Sequence, residues 1–600
     1  MKCLGVLTVL ALALALALTN AQSACGPRVR RNWDSMSEAD KSTYKGALAA
    51  AMDSGAYIKF VEIHTEMRSE MEAHKQCMFI YWHRLFLVVF ENMLRGQGPE
   101  FACVTIPYFN WMEASNKALT GECKTLGDCS RIMQELGGFR GSSAPKTVII
   151  NGRNVTGTCI AEAPLNHFCQ SSSTTGAACA GCLPRGNWGS AKIPASISYA
   201  SVIGQVFNGT NIEKVSRTVE RGCHADIHAS LSSTMSMFQS PADPIFWSHH
   251  AMLDALLTIF HKCRVGTRRM TFEQKAADPV AWASCKRRVG QRATGAPFKP
   301  TDVVTMRTGE HGADPVEGNK DPLIGQYFEG VPNRFAALMD GSDLGASSYT
   351  YEINGLLATM YNNCGAMAIT NPATPVPAAT TASSAATTRP TTNAPSTTAP
   401  TTVAPPSTTN TPASTTVTPA TTAPRTSNTR SQEKRVHGIR SFFDWFFGQV
   451  MPKTPRARRR LSSCRTAPTS EQNEAEKTKP PASSGSIHGE EPAPVVITVN
   501  LTRSEKRVLS WYSETLDSNG GHSAENVADM ERQVCMFQDQ CLGGILDFTD
   551  EFKSLWGVQE PRCRTIVNAI NSGEQKILDP AWKSTMKAHF GCPHPANEPA

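Results

Sequence analysis

Apolar and polar positions divide this chain into tracts of unequal character. Behind Lys2, Val6 to Leu18 is a leucine and alanine run, followed by small residues around Ala21. The run is too short to span a bilayer and reads as a secretory signal, cleaved after Ala21 or, as the other option, Ala24. No later stretch is long and apolar enough to cross a membrane. Ser37 followed by Asp40 predicts a helix N-terminus. The next tract, Ile63 to Arg95, is apolar and aromatic around three histidines, His64, His74 and His83, and His83 opens a helical run. The segment around Trp111 reads as core, and residues 120–190 read as loops. His224 and His228 are four apart, so a helix would place both on one face. His249 and His250 open another helical run just after Asp243-Pro244, and residues 263–365 are short polar and glycine-rich segments.

Composition then changes abruptly. Residues 371–430 are almost entirely Thr, Ala, Pro and Ser, a mucin-like spacer that cannot bury a core and suits O-glycosylation. Residues 431–489 hold a basic and aromatic segment and a polar tract. Within them Arg456-Ala-Arg458-Arg459-Arg460 reads equally as a furin-like processing site or as a solvated linker. Residues 490–600 read as a small helical region with four cysteines. The predicted organisation is a signal at 1–21, a mainly α domain at 25–365, the two linkers, and the C-terminal region.

The formal charge of +7 is modest for 600 residues, which gives no support to a nucleic-acid partner. Of 19 cysteines, Cys3 leaves with the signal, and 18 is an even number. In an oxidising compartment they read first as disulfides, including the Cys179-Ala-Gly-Cys182 pair that elsewhere would suggest zinc or redox chemistry. Asn154-Val-Thr156, Asn208-Gly-Thr210 and Asn500-Leu-Thr502 are N-glycosylation sequons.

The chemistry rests on the histidines. Each half offers three imidazoles: His64, His74 and His83, then His224, His228 and one of His249 or His250. With no carboxylate or thiolate in the same motifs, six such ligands favour copper over calcium or magnesium.

His74-x8-His83 with Trp82-His83-Arg84 resembles the first copper motif of the tyrosinase family. Asp243-Pro-Ile-Phe-Trp-Ser-His249-His250, continuing to Asp254, resembles its second. The resemblance covers residues 25–365. It implies a four-helix bundle holding two copper ions, with O2 as co-substrate. It also implies that His64, His74 and His83 bind one copper and His224, His228 and His250 the other, with His249 beside the site. By the same resemblance Glu220 orients an active-site water, Met237 stands over the copper entrance, and Tyr349 and Tyr351 pair with Arg30 or Arg31. A surface glutamate and an ordinary core methionine are the plain alternatives for Glu220 and Met237.

Three positions depart from the family pattern. Ala225 follows His224 where many monophenol-hydroxylating members carry Asn. Glu72 stands where some carry a cysteine crosslinked to the next histidine. Tyr81 precedes Trp82 where Pro is usual. The expected activity is a secreted phenol oxidase that converts mono- or o-diphenols, free or as tyrosine or DOPA in proteins, to o-quinones. Such products serve pigment (melanin) formation or extracellular matrix crosslinking. Haemocyanin-like O2 carriage and a structural matrix protein with an inactive site are the alternatives. Family members are often latent, and the aromatic cluster Phe442, Phe443, Trp445, Phe446 and Phe447 is a candidate plug, or else an amphipathic contact segment.

Overall fold

The computed structural model describes residues 25–290, 292–364 and 495–593. The histidine-bearing half is helical, as its apolar runs predict. Helix α1, Glu38–Asp53, starts where the Ser37 side chain accepts the Asp40 N–H. Helices α2, Ala56–Thr65, α3, Met67–Ala73, and α4, Phe79–Arg95, follow in close succession. In α4, 15 of the 17 residues are buried, so this is a central helix rather than an amphipathic surface one. Further along come α5, Trp111–Leu119, α6, Tyr199–Phe207, and α7, Ile212–Val219.

A π-helical turn, Glu220–His224, joins α7 to α8, Ala225–Leu231. Inserting a residue into the helical ladder re-aims the side chains that follow, which is why such turns cluster at functional sites. Gly222 is needed here. A Cβ on it would lie 2.1 Å from Gln205 Oε1, which accepts the Cys223 N–H. Helix α9, Pro244–Arg264, opens with Pro at its first position, and Asp243 caps it by accepting the Ile245 N–H. Arg185 grips the same carboxylate with two N–H donors at 2.8 and 2.6 Å, both side chains fully buried.

The small amount of sheet works as clasps. Arg28–Arg30 (β1) pairs parallel with Tyr349–Asn354, which pairs parallel with Val496–Thr498. One three-stranded sheet therefore joins the start of the histidine-bearing region, its end, and the C-terminal region. A second, antiparallel sheet of Lys146–Ile150, Arg153–Ile160 and Leu183–Arg185 organises the cysteine-rich loops.

Among the described residues, eight disulfides form. Cys159–Cys182 and Cys169–Cys179 confirm a structural role for that motif. The even count does not translate into full pairing, because Cys223 is a buried free thiol inside the π turn. None of the eight joins residues 25–364 to residues 495–593.

The C-terminal region is held by packing instead. Its helices Arg503–Ser518 and Ala524–Cys541 bury Val508, Trp511, Met530 and Phe537 in the same apolar core as α6 and α9. Glu505 completes a capping box with Thr502 and also accepts the Leu356 N–H at 3.0 Å. Glu531, 3 % exposed, takes the Ser201 hydroxyl and both nitrogens of an Arg562 fork.

Candidate metal centre

Seven histidines converge in the core, none more than 3 % exposed. His64 lies near the end of α2, His74 directly follows α3, and His83 sits in the second turn of α4. His224 closes the π turn, His228 lies in α8, and His249 and His250 lie in α9. Ring nitrogens of His64, His74 and His83 come within 4.8 Å of one another, as do those of His224, His228, His249 and His250. The two groups adjoin: the rings of His83 and His250 stack with centroids 4.3 Å apart.

A neutral imidazole has one N–H and one lone pair, and hydrogen bonding decides which nitrogen has which. In four of the rings Nδ1 faces a backbone carbonyl, which can only accept. The pairs are His64 with Phe238 at 2.7 Å, His83 with Phe79 at 2.9 Å, His224 with Glu220 at 3.0 Å and His228 with Met235 at 2.5 Å. Each of these Nδ1 atoms therefore donates, and each Nε2 offers a lone pair. All four Nε2 atoms are buried without a partner, and so are both nitrogens of His74 and His250.

An orphaned buried acceptor costs about 1–3 kcal/mol, so a cluster of them fits a cation rather than packing alone. Burial also keeps the rings neutral. It pushes His64 down to about 3 and His228 to about 4, and holds the other five well below 6.5, with the neighbouring imidazoles adding to the effect. An all-nitrogen donor set of this kind suits copper or zinc.

His249 differs from its neighbours. The Trp111 indole N–H donates to its Nδ1 at 3.2 Å. An indole nitrogen can only donate, so Nδ1 carries the lone pair and Nε2 carries the proton. His250 has no such constraint.

The residues singled out between 30 and 351 can all be placed. Glu220 is buried at the head of the π turn. Its Oε1 accepts the Lys75 N–H, its Oε2 has no partner, and burial pushes the carboxyl up to about 7. Met237 is half-buried, and it is the next residue, Phe238, whose ring stacks on His74 with centroids 5.1 Å apart. Glu72 accepts from Arg287 at 2.6 Å and from the Thr305 N–H at 2.6 Å, so the residue in the crosslink position anchors a loop instead. Arg30, rather than Arg31, meets the tyrosine pair. Its guanidinium lies 3.7 Å over the Tyr349 ring and reaches Glu91 and Asp254, while Arg31 stays near the surface with Glu352. The cluster Phe442 to Phe447 lies outside the described residues.

Sequence reasoning missed Trp556. It ends the helix Asp550–Trp556 in the C-terminal region, and its ring lies 5.3 Å from His74, 5.5 Å from His224 and 4.7 Å from His228, centroid to centroid. The indole N–H donates to the Ser236 carbonyl at 2.8 Å. Phe548, Phe552, Val558 and Ala225 pack with it. The available signal was Phe548-x3-Phe552-x3-Trp556, whose last two aromatics share one helix face.

Residues 54–262 match the family model described as the common central domain of tyrosinase. A tyrosinase of Streptomyces glaucescens is 27% identical over 244 residues, which are 38% of this chain and 80% of that protein. Tyrosinase P of Aspergillus terreus is 24% identical over 305 residues, 42% of this chain and 81% of that one. A polyphenol oxidase structure from Thermothelomyces thermophila covers 54% of this chain and 88% of its own at 19% identity, with a TM-score of 0.33, a superposition too loose to carry weight. The matched segment contains both histidine groups, and residues 54–262 carry the common central domain of the type-3 dicopper tyrosinase family, which implies a pair of coppers working with O2.

Proposed function

We propose that this chain is a secreted phenol oxidase that converts o-diphenols, and less readily monophenols, to o-quinones. His64, His74 and His83 would hold one copper, and His224, His228 and His250 the other. The carrying observation is the set of buried, unpartnered Nε2 lone pairs, fixed by the carbonyls that tie Nδ1. The Trp111 bond supports His250 over His249, because a nitrogen that keeps its proton has no lone pair for a metal. The bound copper pair supplies the binding and reduction of O2. The protein excludes water with Phe79, Phe238 and Phe246, which ring the imidazoles. Glu220 keeps an unpartnered oxygen to hold the phenol proton. Ala225 offers no side-chain hydrogen bond, and this supports the diphenol preference.

The chain would be made latent. Trp556 occupies the space over His74, His224 and His228 that a flat aromatic substrate needs. Quinones react with amines and thiols, so pigment formation or matrix crosslinking would follow release. Copper analysis with catechol and tyrosine assays, before and after removal of the C-terminal region, tests the reading. Two coppers with catechol turnover after removal is the expected result. A stable oxygenated absorption band without turnover would favour O2 carriage, and absence of bound copper would favour a structural protein.

A further inference from the structure

Beside the plug helix a cavity of about 650 Å³ opens at the seam between the dicopper region and the C-terminal region. That volume lies within the range of about 300–1,000 Å³ typical of small-ligand sites. Nearly all of its wall comes from the C-terminal region, whereas the dicopper region contributes only Asn208 and Arg221. Asn208 is the acceptor of the Asn208-Gly-Thr210 sequon. It caps the C-terminus of α6, and both Asn208 and Thr210 are exposed.

We propose that Asn208 carries an N-linked glycan whose first sugars seat in this cavity and fasten the C-terminal region over the copper site. The inference rests on the secretory reading above. In the attachment, the Asn208 amide nitrogen bonds to the anomeric carbon of a polyprenyl-diphosphate oligosaccharide. The anomeric C–O bond breaks, the diphosphate leaves with its electron pair, and the amide gives up one proton.

The wall chemistry suits a sugar better than an ion. Glu531 is taken up by Arg562, and Arg532 by Asp529 and Glu525, which leaves one charge of each sign, Arg221 and Glu560, on the wall. Gln559, Thr565 and Gln575 leave amide and hydroxyl groups for sugar hydroxyls and the acetamide. Val558 and Ile566 give a pyranose ring an apolar face. Synthesis order agrees: Asn208 emerges before residues 495–593, so those helices fold onto a glycan already in place. Val558 also packs with Trp556, so a sugar wedged here would resist lifting of the plug.

The test uses the full chain secreted from a eukaryotic host. Glycopeptide mass spectrometry reads occupancy at Asn154, Asn208 and Asn500, and an endoglycosidase is applied to the native protein. The expected result is an occupied Asn208 whose glycan resists native release, while that on Asn154, on an exposed strand position, is removed. Thr210→Ala should speed hydrogen exchange across residues 550–566 about tenfold, and Thr210→Ser, which keeps the sequon, should not. An empty Asn208 beside an occupied Asn154, equal release from both, or unchanged exchange in Thr210→Ala overturns the proposal. Three empty sequons overturn it together with the secretory reading, which separates the two failures.

Discussion

Trp556 and His228 pack ring to ring with centroids 4.7 Å apart, which places a residue of the C-terminal region against a ligand candidate more than 300 positions earlier in the chain. The same indole contacts His74 in the other histidine group, so one side chain closes over both. Trp556→Ala in the copper-loaded full chain should therefore raise catechol oxidation about tenfold or more, since apparent activity scales with the open fraction. Trp556→Phe should fall between, keeping an aromatic ring but losing the bond to Ser236. Steady-state oxygen uptake reads both. An unchanged rate in Trp556→Ala would show that the indole does not limit access.

The two adjacent histidines of α9 should behave differently towards metal. His250→Ala should bind one copper fewer per chain, and His249→Ala should retain two, because Trp111 leaves the His249 Nε2 protonated. Elemental analysis of dialysed protein gives the stoichiometry directly. Loss of a copper from both variants would overturn the assignment.

The histidine groups were legible in the sequence because their spacing is local. A four-residue step on a helix and a His-His pair behind a capped Asp243-Pro244 turn are short-range signals, and the structure places all of them in one centre. The choice between His249 and His250 was not legible from the residues themselves, since it depends on an indole about 140 positions away. The proposed Trp556 plug was not legible for a related reason, and the Phe442 to Phe447 expectation lies outside the described residues. Phe442 to Phe447 is the denser aromatic cluster, but density does not say what a segment packs against. Phe552 and Trp556 are diluted among charged residues and become one apolar face only when the helix forms. The π turn had only Gly222 to announce it, and the need for that glycine comes from Gln205 on another helix.

Asp254 gives a prediction about stability and pH. Its carboxylate accepts from Arg84 and Tyr349 at 2.6 Å and from Tyr351 at 2.7 Å, with Arg30 at 3.3 Å. Burial alone would raise this carboxyl, but the two guanidiniums outweigh burial and hold it below 3.8. A depressed carboxylate contributes stability that is complete above its unfolded value and is lost as pH falls through the folded one. Asp254→Asn leaves the buried Arg84 without a counter-charge and Arg30 with Glu91 alone, and should cost about 3–5 kcal/mol at neutral pH. In urea titrations the gap between parent and variant should persist down to about 3.8 and narrow only below it. A gap that closes well above that value would contradict the depressed carboxyl.

Proteolysis at Arg456–Arg460, a run outside the described residues, should not by itself open the copper site. The described C-terminal region has no disulfide to the dicopper region. It does have a sheet strand, the Glu505 bond to Leu356 and the Glu531 bond from the Ser201 hydroxyl to hold it after the chain is cut. Cut protein should keep residues 495–593 bound through gel filtration and stay nearly inactive until mild denaturant separates them. Ser201→Ala should change that outcome. It removes the hydroxyl that donates to the almost fully buried Glu531 across the seam, and losing a hydrogen bond to a charged group costs about 1.5–3 kcal/mol, roughly tenfold to a hundredfold in the docking equilibrium. The cut variant should then shed its C-terminal region and oxidise catechol without denaturant, while the uncut variant, still tethered, shows a smaller rise. If cutting the parent chain alone releases full activity, docking is weaker than these contacts require and the strand and hydrogen-bond clasps do not hold the plug in place.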